Sequence, residues 1–291
     1  MSDPSVRALV LADGDALAAV AAETIVQHAK SAVAARGRFL FALSGGTTPQ
    51  ALFRLLAQSE FDEVLPWSAT VVLWGDERCV PPDDPASNYG SAVRSGLLAR
   101  PFGSVERVRG ELGAEDAARD YEERLRTLGE GGSGSPTSPR SLASTPPSSS
   151  TPAVPDVSRV PVIDLILLGI GEDGHTASLL PGSATLVEAG RLVVPTEVYG
   201  GVRRVSFTVP VLAAARRLLF LVAGTGKAAA VAEILGDPAS RLPAAIVLRA
   251  ARRVTMLLDG AAAAGTSEGV LVQDPRAVPP RAGVAPDPGV V

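Results

Sequence analysis

Residues 164–183, DLILLGIGEDGHTASLLPGS, decide the fold: a short apolar run stops at Gly169, and a glycine-spaced polar loop follows before Pro181. A continuous apolar run of this length, bounded by turn residues, reads as a strand covered on both faces, as in parallel sheets. The same grammar recurs at 41–56 (FALSGGTTPQALFRLL), 71–89 (VVLWGDERCVPPDDPASNY) and 220–235 (FLVAGTGKAAAVAEIL). Working outward, strands are expected over 38–43, 70–75, 163–168, 217–223 and 254–259, with a further one over 205–209. Helices are expected over 15–35, 49–58, 115–128 and 227–235. Short β-rich runs alternating with Ala/Leu-rich helical patterns predict an α/β fold with a mainly parallel open sheet and helices on both faces. In the first helix Leu17, Val20, Ala21, Thr24 and Ile25 recur at helical spacing, so His28 falls at the edge of that face and reads as structural.

The 291 residues suit one large domain or two modest ones. Between 129 and 155, 21 of 27 residues are Gly, Ser, Pro or Thr, which predicts a flexible insertion. The proline-rich end, 275–291, predicts a disordered tail, leaving a single α/β domain over 1–274. Apolar residues make up 46% and mean hydropathy is +0.23, the balance of a chain with a real core. Lys plus Arg at 27 against Asp plus Glu at 31 gives a net charge of −4 with no dense basic stripe, which excludes a nucleic-acid backbone as partner. Aromatic residues at 4% supply no stacking platform for single-stranded bases either. Asp3 stands where a signal peptide would carry positive charge, and no apolar run approaches the roughly 20 residues that span a bilayer. The lone Cys79 permits no intrachain disulfide and no cysteine-based metal site. A cytoplasmic protein with no membrane partner is expected, a monomer or weak homo-oligomer.

In a parallel sheet, ligands collect beyond the carboxyl ends of strands. Three such loops carry candidate chemistry. In the first, Ser44, Gly45, Gly46, Thr47 and Thr48 precede Pro49 and an amphipathic helix. Paired glycines let backbone N–H groups converge, hydroxyls add donors and the helix start adds partial positive charge, which makes an anion cradle. A plain glycine turn with Thr48 as N-cap fits the stretch as well. In the second, Asp76, Glu77 and Arg78 follow a strand; they read as a solvated triplet, or Arg78 places a permanent cation where charge develops on a reacting oxygen. Ser87 and Asn88 suit a helix cap, and Cys79, with no catalytic signature around it, reads as structural.

The third loop holds Gly169, Gly171 and Gly174 in a G-x-G-x-x-G pattern. Glu172 and Asp173 would face a pyrophosphate and Pro181 ends any following helix within about two turns, so a dinucleotide site fails. What survives is Asp173 and His175 at the start of a short expected helix, with Asp173 able to orient the imidazole. A helix N-terminus would keep His175 neutral and able to take a proton; alternatively Asp173 is only an N-cap and His175 surface filler. Downstream, Arg203 and Arg204 enter a strand, and Lys227 opens a helix after Gly224 and Gly226. Leu221 and Ala228 break a phosphate-binding Walker pattern at both ends. A lysine at a helix start opposes the dipole unless an anion lies beside it, so Arg204 and Lys227 suit a phosphate clamp.

LSGGTTP, GDERCVPPDDPASNY, LGIGEDGHTASLLPG, RRVSFTVP and AGTGKAA, in this order over most of residues 8–265, resemble the 6-phosphogluconolactonase family. The resemblance implies the open, Rossmann-like sheet of sugar-phosphate isomerases and glucosamine-6-phosphate deaminases. It implies hydrolysis of a small sugar-phosphate lactone, 6-phosphogluconolactone, without a metal or other cofactor. By position it makes His175 the base that activates water, Asp173 its support and Arg78 the neighbour of the lactone oxygen. Ser44, Gly45, Gly46, Thr47, Arg204 and Lys227 would hold phosphate or sugar. Leu180, Met256, Gly200 and Gly201 depart from the usual family pattern without touching these positions. The deaminases share the fold and a Gly-x-Asp-Gly-His loop, but typically continue Ile-Ala-Phe-Asn-Glu-Pro. Here Thr176, Ala177, Ser178, Leu179, Leu180 and Pro181 follow, as in lactonases. A non-catalytic sugar-phosphate sensor is the rival of another class, although no helix-turn-helix extension is visible.

Overall fold

A computed structural model of the chain describes residues 5–130, 162–267 and 271–273. Its first half runs β1 (Ser5–Leu11), α1 (Gly14–Arg36), β2 (Phe39–Leu43), α2 (Thr48–Leu56), β3 (Thr70–Trp74), β4 (Asp76–Arg78), α3 (Asn88–Arg94), β5 (Ser104–Glu106) and α4 (Ala114–Glu130). There follow β6 (Leu165–Leu168), β7 (Val193–Pro195), β8 (Arg204–Phe207), α5 (Val209–Ala214), β9 (Leu218–Val222), α6 (Ala228–Gly236), α7 (Pro243–Ala250), β10 (Arg253–Asp259) and β11 (Leu271–Gln273). Residues 129 and 130 of the expected insertion complete α4; its remainder, and the tail 275–291, lie outside the described residues.

Eight strands form one sheet in the order β11-β1-β10-β9-β6-β2-β3-β5, and every pairing in it is parallel. All residues of β2, β6 and β9 are buried, which requires cover on both faces and explains their unbroken apolar sequences. The helix α1 is set by its ends: Asp13 Oδ1 accepts the Ala16 N–H at 2.8 Å, and Gly37 stops the helix in the left-handed region. Its buried stripe holds Leu17, Ala21 and Ile25, as the periodicity predicts, and is widened by Ala18, Ala22, Ala29 and Ala32.

The strand β1 and the helix α7 were not among the expected elements, whereas α3 starts at the expected cap, Ser87 Oγ accepting the Gly90 N–H at 2.9 Å. The expected strand at 205–209 forms as β8, but in a separate antiparallel sheet, β4-β8-β7. Gly75 joins the two sheets: its N–H donates to Leu43 O at 2.9 Å and its carbonyl accepts the Phe207 N–H at 2.8 Å.

His28 is half-buried on α1, and burial together with Arg217 and Arg253 holds its pKa down to about 4. The unfolded chain therefore binds a proton there, between about pH 6.5 and 4, that the folded chain refuses, so stability falls as pH drops through this window. Thermal melts of His28→Gln are expected to lose less stability than wild type between pH 7 and 4.5. Parallel losses in the two proteins would remove His28 from the acid response.

Candidate active site

The carboxyl ends of β2, β3, β6 and β9 open on one cleft of about 180 Å³. Each expected site residue except Asp173 lines it, and Asp173 stands directly behind His175.

The turn after β6 is built around the imidazole. His175 Nδ1 lies 2.6 Å from Asp173 Oδ1, and the same oxygen accepts the His175 backbone N–H at 3.1 Å. The carboxylate selects the tautomer protonated on Nδ1 and leaves Nε2 as the acceptor. Burial pushes Asp173 up, but the backbone N–H and ring of His175 outweigh it and hold the carboxyl below its usual range. Gly171 is indispensable here, since a Cβ on it would lie 2.0 Å from His175 Nδ1.

No helix follows His175, contrary to the sequence expectation. Residues 176–179 form a tight turn in which the Leu179 N–H donates to Thr176 O at 3.0 Å, and Ala177 takes a φ of 49°. Side chains divert the backbone from a helix: Thr176 Oγ1 donates to Gly169 O at 2.9 Å and Ser178 Oγ to Asp76 Oδ2 at 2.5 Å. Asp173, rather than a helix dipole, therefore controls the imidazole.

The triplet after β3 is not solvated. Asp76 and Glu77 are buried, at 6% and 2% exposure. Glu77 accepts the backbone N–H groups of Arg78, Asn88 and Tyr89 and the hydroxyl of Ser87, tying β4 to the start of α3. The Asn88 side chain then packs against Gly45, where a Cβ would meet Asn88 Oδ1 at 1.8 Å. Cys79 is pushed up to about 11 by burial and by Glu77, so it stays a protonated thiol, as its structural reading requires.

Strand pairing sets Arg78 directly opposite Arg204. Arg78 Nη1 donates to Ala86 O at 2.6 Å, whereas the Nε atoms of both arginines are buried without a partner among the described residues. Burial, and then Arg78, pull Arg204 below the ordinary guanidinium range. Between Arg203 and Arg204, left undecided by sequence, Arg204 lines the cleft and Arg203 is exposed. Lys227 reaches the same cleft from the loop after β9, which Asp259 secures by accepting the Gly224 N–H at 3.0 and 3.1 Å. Across the cleft, Thr47 is the N-cap of α2 but makes no side-chain cap bond, and Gly46 has a φ of 102°. Three cations thus face one lining carboxylate, Asp76, which favours an anionic ligand.

Sequence reasoning missed Tyr199. Its hydroxyl donates to Asp173 Oδ2 at 3.4 Å, its ring meets His175 edge-on at 5.3 Å, and the Arg204 guanidinium lies 4.9 Å over it. The Gly200–Gly201 turn behind it was the available signal, both glycines having positive φ. Asp76 and Asn88 were noticed only as a charge and a cap, not as cleft walls.

Fold and site together define an open parallel α/β protein whose cationic cleft presents an aspartate-oriented histidine. Residues 12–256 match the family described as glucosamine-6-phosphate isomerases/6-phosphogluconolactonase, and the chain belongs to that family. It is 35% identical to human 6-phosphogluconolactonase over 266 residues, 87% of this chain and 91% of that protein. It is 33% identical to the 6-phosphogluconolactonase of Haemophilus influenzae over 203 residues, 69% of this chain and 75% of that one. Among solved structures, 6-phosphogluconolactonase from Trypanosoma brucei superposes with a TM-score of 0.74 at 28% identity, covering 90% of this chain and 99% of that one.

Proposed function

We infer that this chain hydrolyses 6-phospho-D-glucono-1,5-lactone to 6-phosphogluconate. The observation that carries the reading is the His175–Asp173 pair at 2.6 Å, with the imidazole lining the same cleft as Arg78, Arg204, Lys227 and the Ser44–Thr47 loop. His175 Nε2 takes a proton from water, and the resulting hydroxide adds to the lactone carbonyl. Negative charge forms on the carbonyl oxygen, where Arg78 stabilises it; one such donor is worth about 2.7–4 kcal/mol. The tetrahedral adduct collapses with cleavage of the bond to the ring oxygen, which recovers its proton from the imidazolium. Arg204, Lys227, Gly45, Gly46 and Thr47 hold the phosphate meanwhile. No step calls on a metal or cofactor. The catalytic unit is one domain over 1–274, and the single cysteine suits a reducing, cytoplasmic setting.

The direct test is to supply the lactone and, separately, glucosamine 6-phosphate to the purified chain. Acid release from the lactone with no ammonia from the amino sugar is expected. Ammonia release alone would transfer the chain to the deaminases, and lactone binding without turnover would make it a sensor.

Lys227→Ala and Arg204→Ala are each expected to raise KM roughly 10- to 100-fold with a smaller change in kcat, because a charged hydrogen bond made equally in ground and transition states is lost. Steady-state kinetics on the lactone decide this, and unaltered KM in both variants would remove the phosphate from this end of the cleft.

A further inference from the structure

At the opposite edge of the sheet, where the parallel strands β6, β9 and β10 begin, lies a second cleft of about 360 Å³. The five residues of β9 separate it from the lactone cleft, roughly 17 Å at about 3.3 Å per residue. Arg36, Arg216, Arg217, Arg252 and Arg253 line it with His28 and one carboxylate, Asp164. That carboxylate is engaged: Oδ1 lies 2.7 Å from Arg36 Nη2 and 3.2 Å from Arg216 Nε, and Oδ2 accepts the Leu40 N–H at 2.9 Å. Arg217, Arg252 and Arg253 have no carboxylate partner among the described residues.

The register Val254↔Leu218 sets Arg217, the residue before β9, beside Arg253, the first residue of β10. Like charges so placed repel. Burial, then Arg253, pull Arg217 below the ordinary guanidinium range, as burial and Arg78 do to Arg204 in the lactone cleft. The chain thus places two arginines side by side twice, Arg78 and Arg204 in the small antiparallel sheet at the lactone cleft, and Arg217 and Arg253 where β9 and β10 begin.

We propose that this second cleft binds a phosphate-rich anion carrying a chain of two or three phosphates, at a site separate from the active site. Five guanidinium groups against one carboxylate leave a formal surplus of four positive charges. A single phosphate group, at about −1.5 to −2, leaves half of that unmatched, whereas a triphosphate balances it. Planar guanidinium forks also suit phosphate oxygens in bidentate pairs.

Because the active site also attracts phosphate, the readout is the His28 imidazole. The chain has only two histidines, so His28→Gln assigns its NMR signals. Titrating the full chain with inorganic tripolyphosphate at low salt is expected to move the His28 signals and raise its pKa. The double variant Arg217→Ser/Arg253→Ser is expected to bind tripolyphosphate at least about tenfold more weakly. Without ligand it should keep wild-type lactone kinetics and melt no lower than wild type, repulsion having been relieved. Equal affinity for ATP and tripolyphosphate identifies the phosphate chain as the whole determinant; tighter ATP binding identifies a nucleotide. Unmoved His28 signals at millimolar tripolyphosphate, equal affinity in the double variant, or orthophosphate binding as tightly as tripolyphosphate would each overturn the assignment.

Discussion

His175→Ala is expected to lower kcat for lactone hydrolysis by at least about 10²-fold, within the 10²- to 10⁴-fold range of a positioned base. KM should change little, because the proposed phosphate holders, Arg204, Lys227 and the Ser44–Thr47 loop, line the cleft independently of the imidazole. Asp173→Asn gives a second arm. An amide cannot fix the Nδ1–H tautomer as the carboxylate at 2.6 Å does, so kcat should fall while the fold is retained. Full activity in His175→Ala would remove the base from the mechanism.

Much of this site was legible because a parallel sheet delivers the ends of distant strands to one edge. Ser44, Arg78, His175 and Lys227 come from four separate stretches, yet each lies within seven residues of the end of an apolar run, and the fold rule brings those endings together. Arg204 is the exception, because it begins a strand of the small antiparallel sheet. That sheet was not foreseen: β4 and β7 have three residues each, too few to show a period. The strand β1 was missed for a different reason, its polar Ser5 and Arg7 interrupting the apolar run that marked the other buried strands.

The helix wrongly expected after His175 shows where local pattern gives way to tertiary contact. Thr, Ala, Ser and Leu carry no strong bar to a helix, and Pro181 only limits its length. What decides the conformation is the Ser178 hydroxyl reaching Asp76, 102 residues away in sequence, a contact with no trace in local composition. Tyr199 escaped notice likewise, since two of its three partners, Asp173 and His175, lie in another segment.

Glu77→Ala is expected to destabilise the chain by on the order of 3 kcal/mol, although the sequence reads Glu77 as one of three charges after a strand. Four donors converge on its carboxylate, three of them backbone N–H groups, and each one left buried and unpaired costs about 1–3 kcal/mol. For a chain of this size the loss should lower Tm by roughly 6–12 °C. Glu77→Gln keeps one acceptor oxygen but turns an amide NH₂ toward donors, so it should fall between wild type and alanine. The loss should reach catalysis as well. Glu77 fixes the Arg78 backbone and the start of α3, and Asn88 on α3 is the wall that requires glycine at position 45. At temperatures where Glu77→Gln is fully folded, kcat on the lactone should therefore drop with no direct contact to substrate having been removed. Calorimetry paired with kinetics tests both halves: an unchanged Tm in Glu77→Ala would mean that the four donors find water instead, and an unchanged kcat in Glu77→Gln would mean that Arg78 is positioned without it.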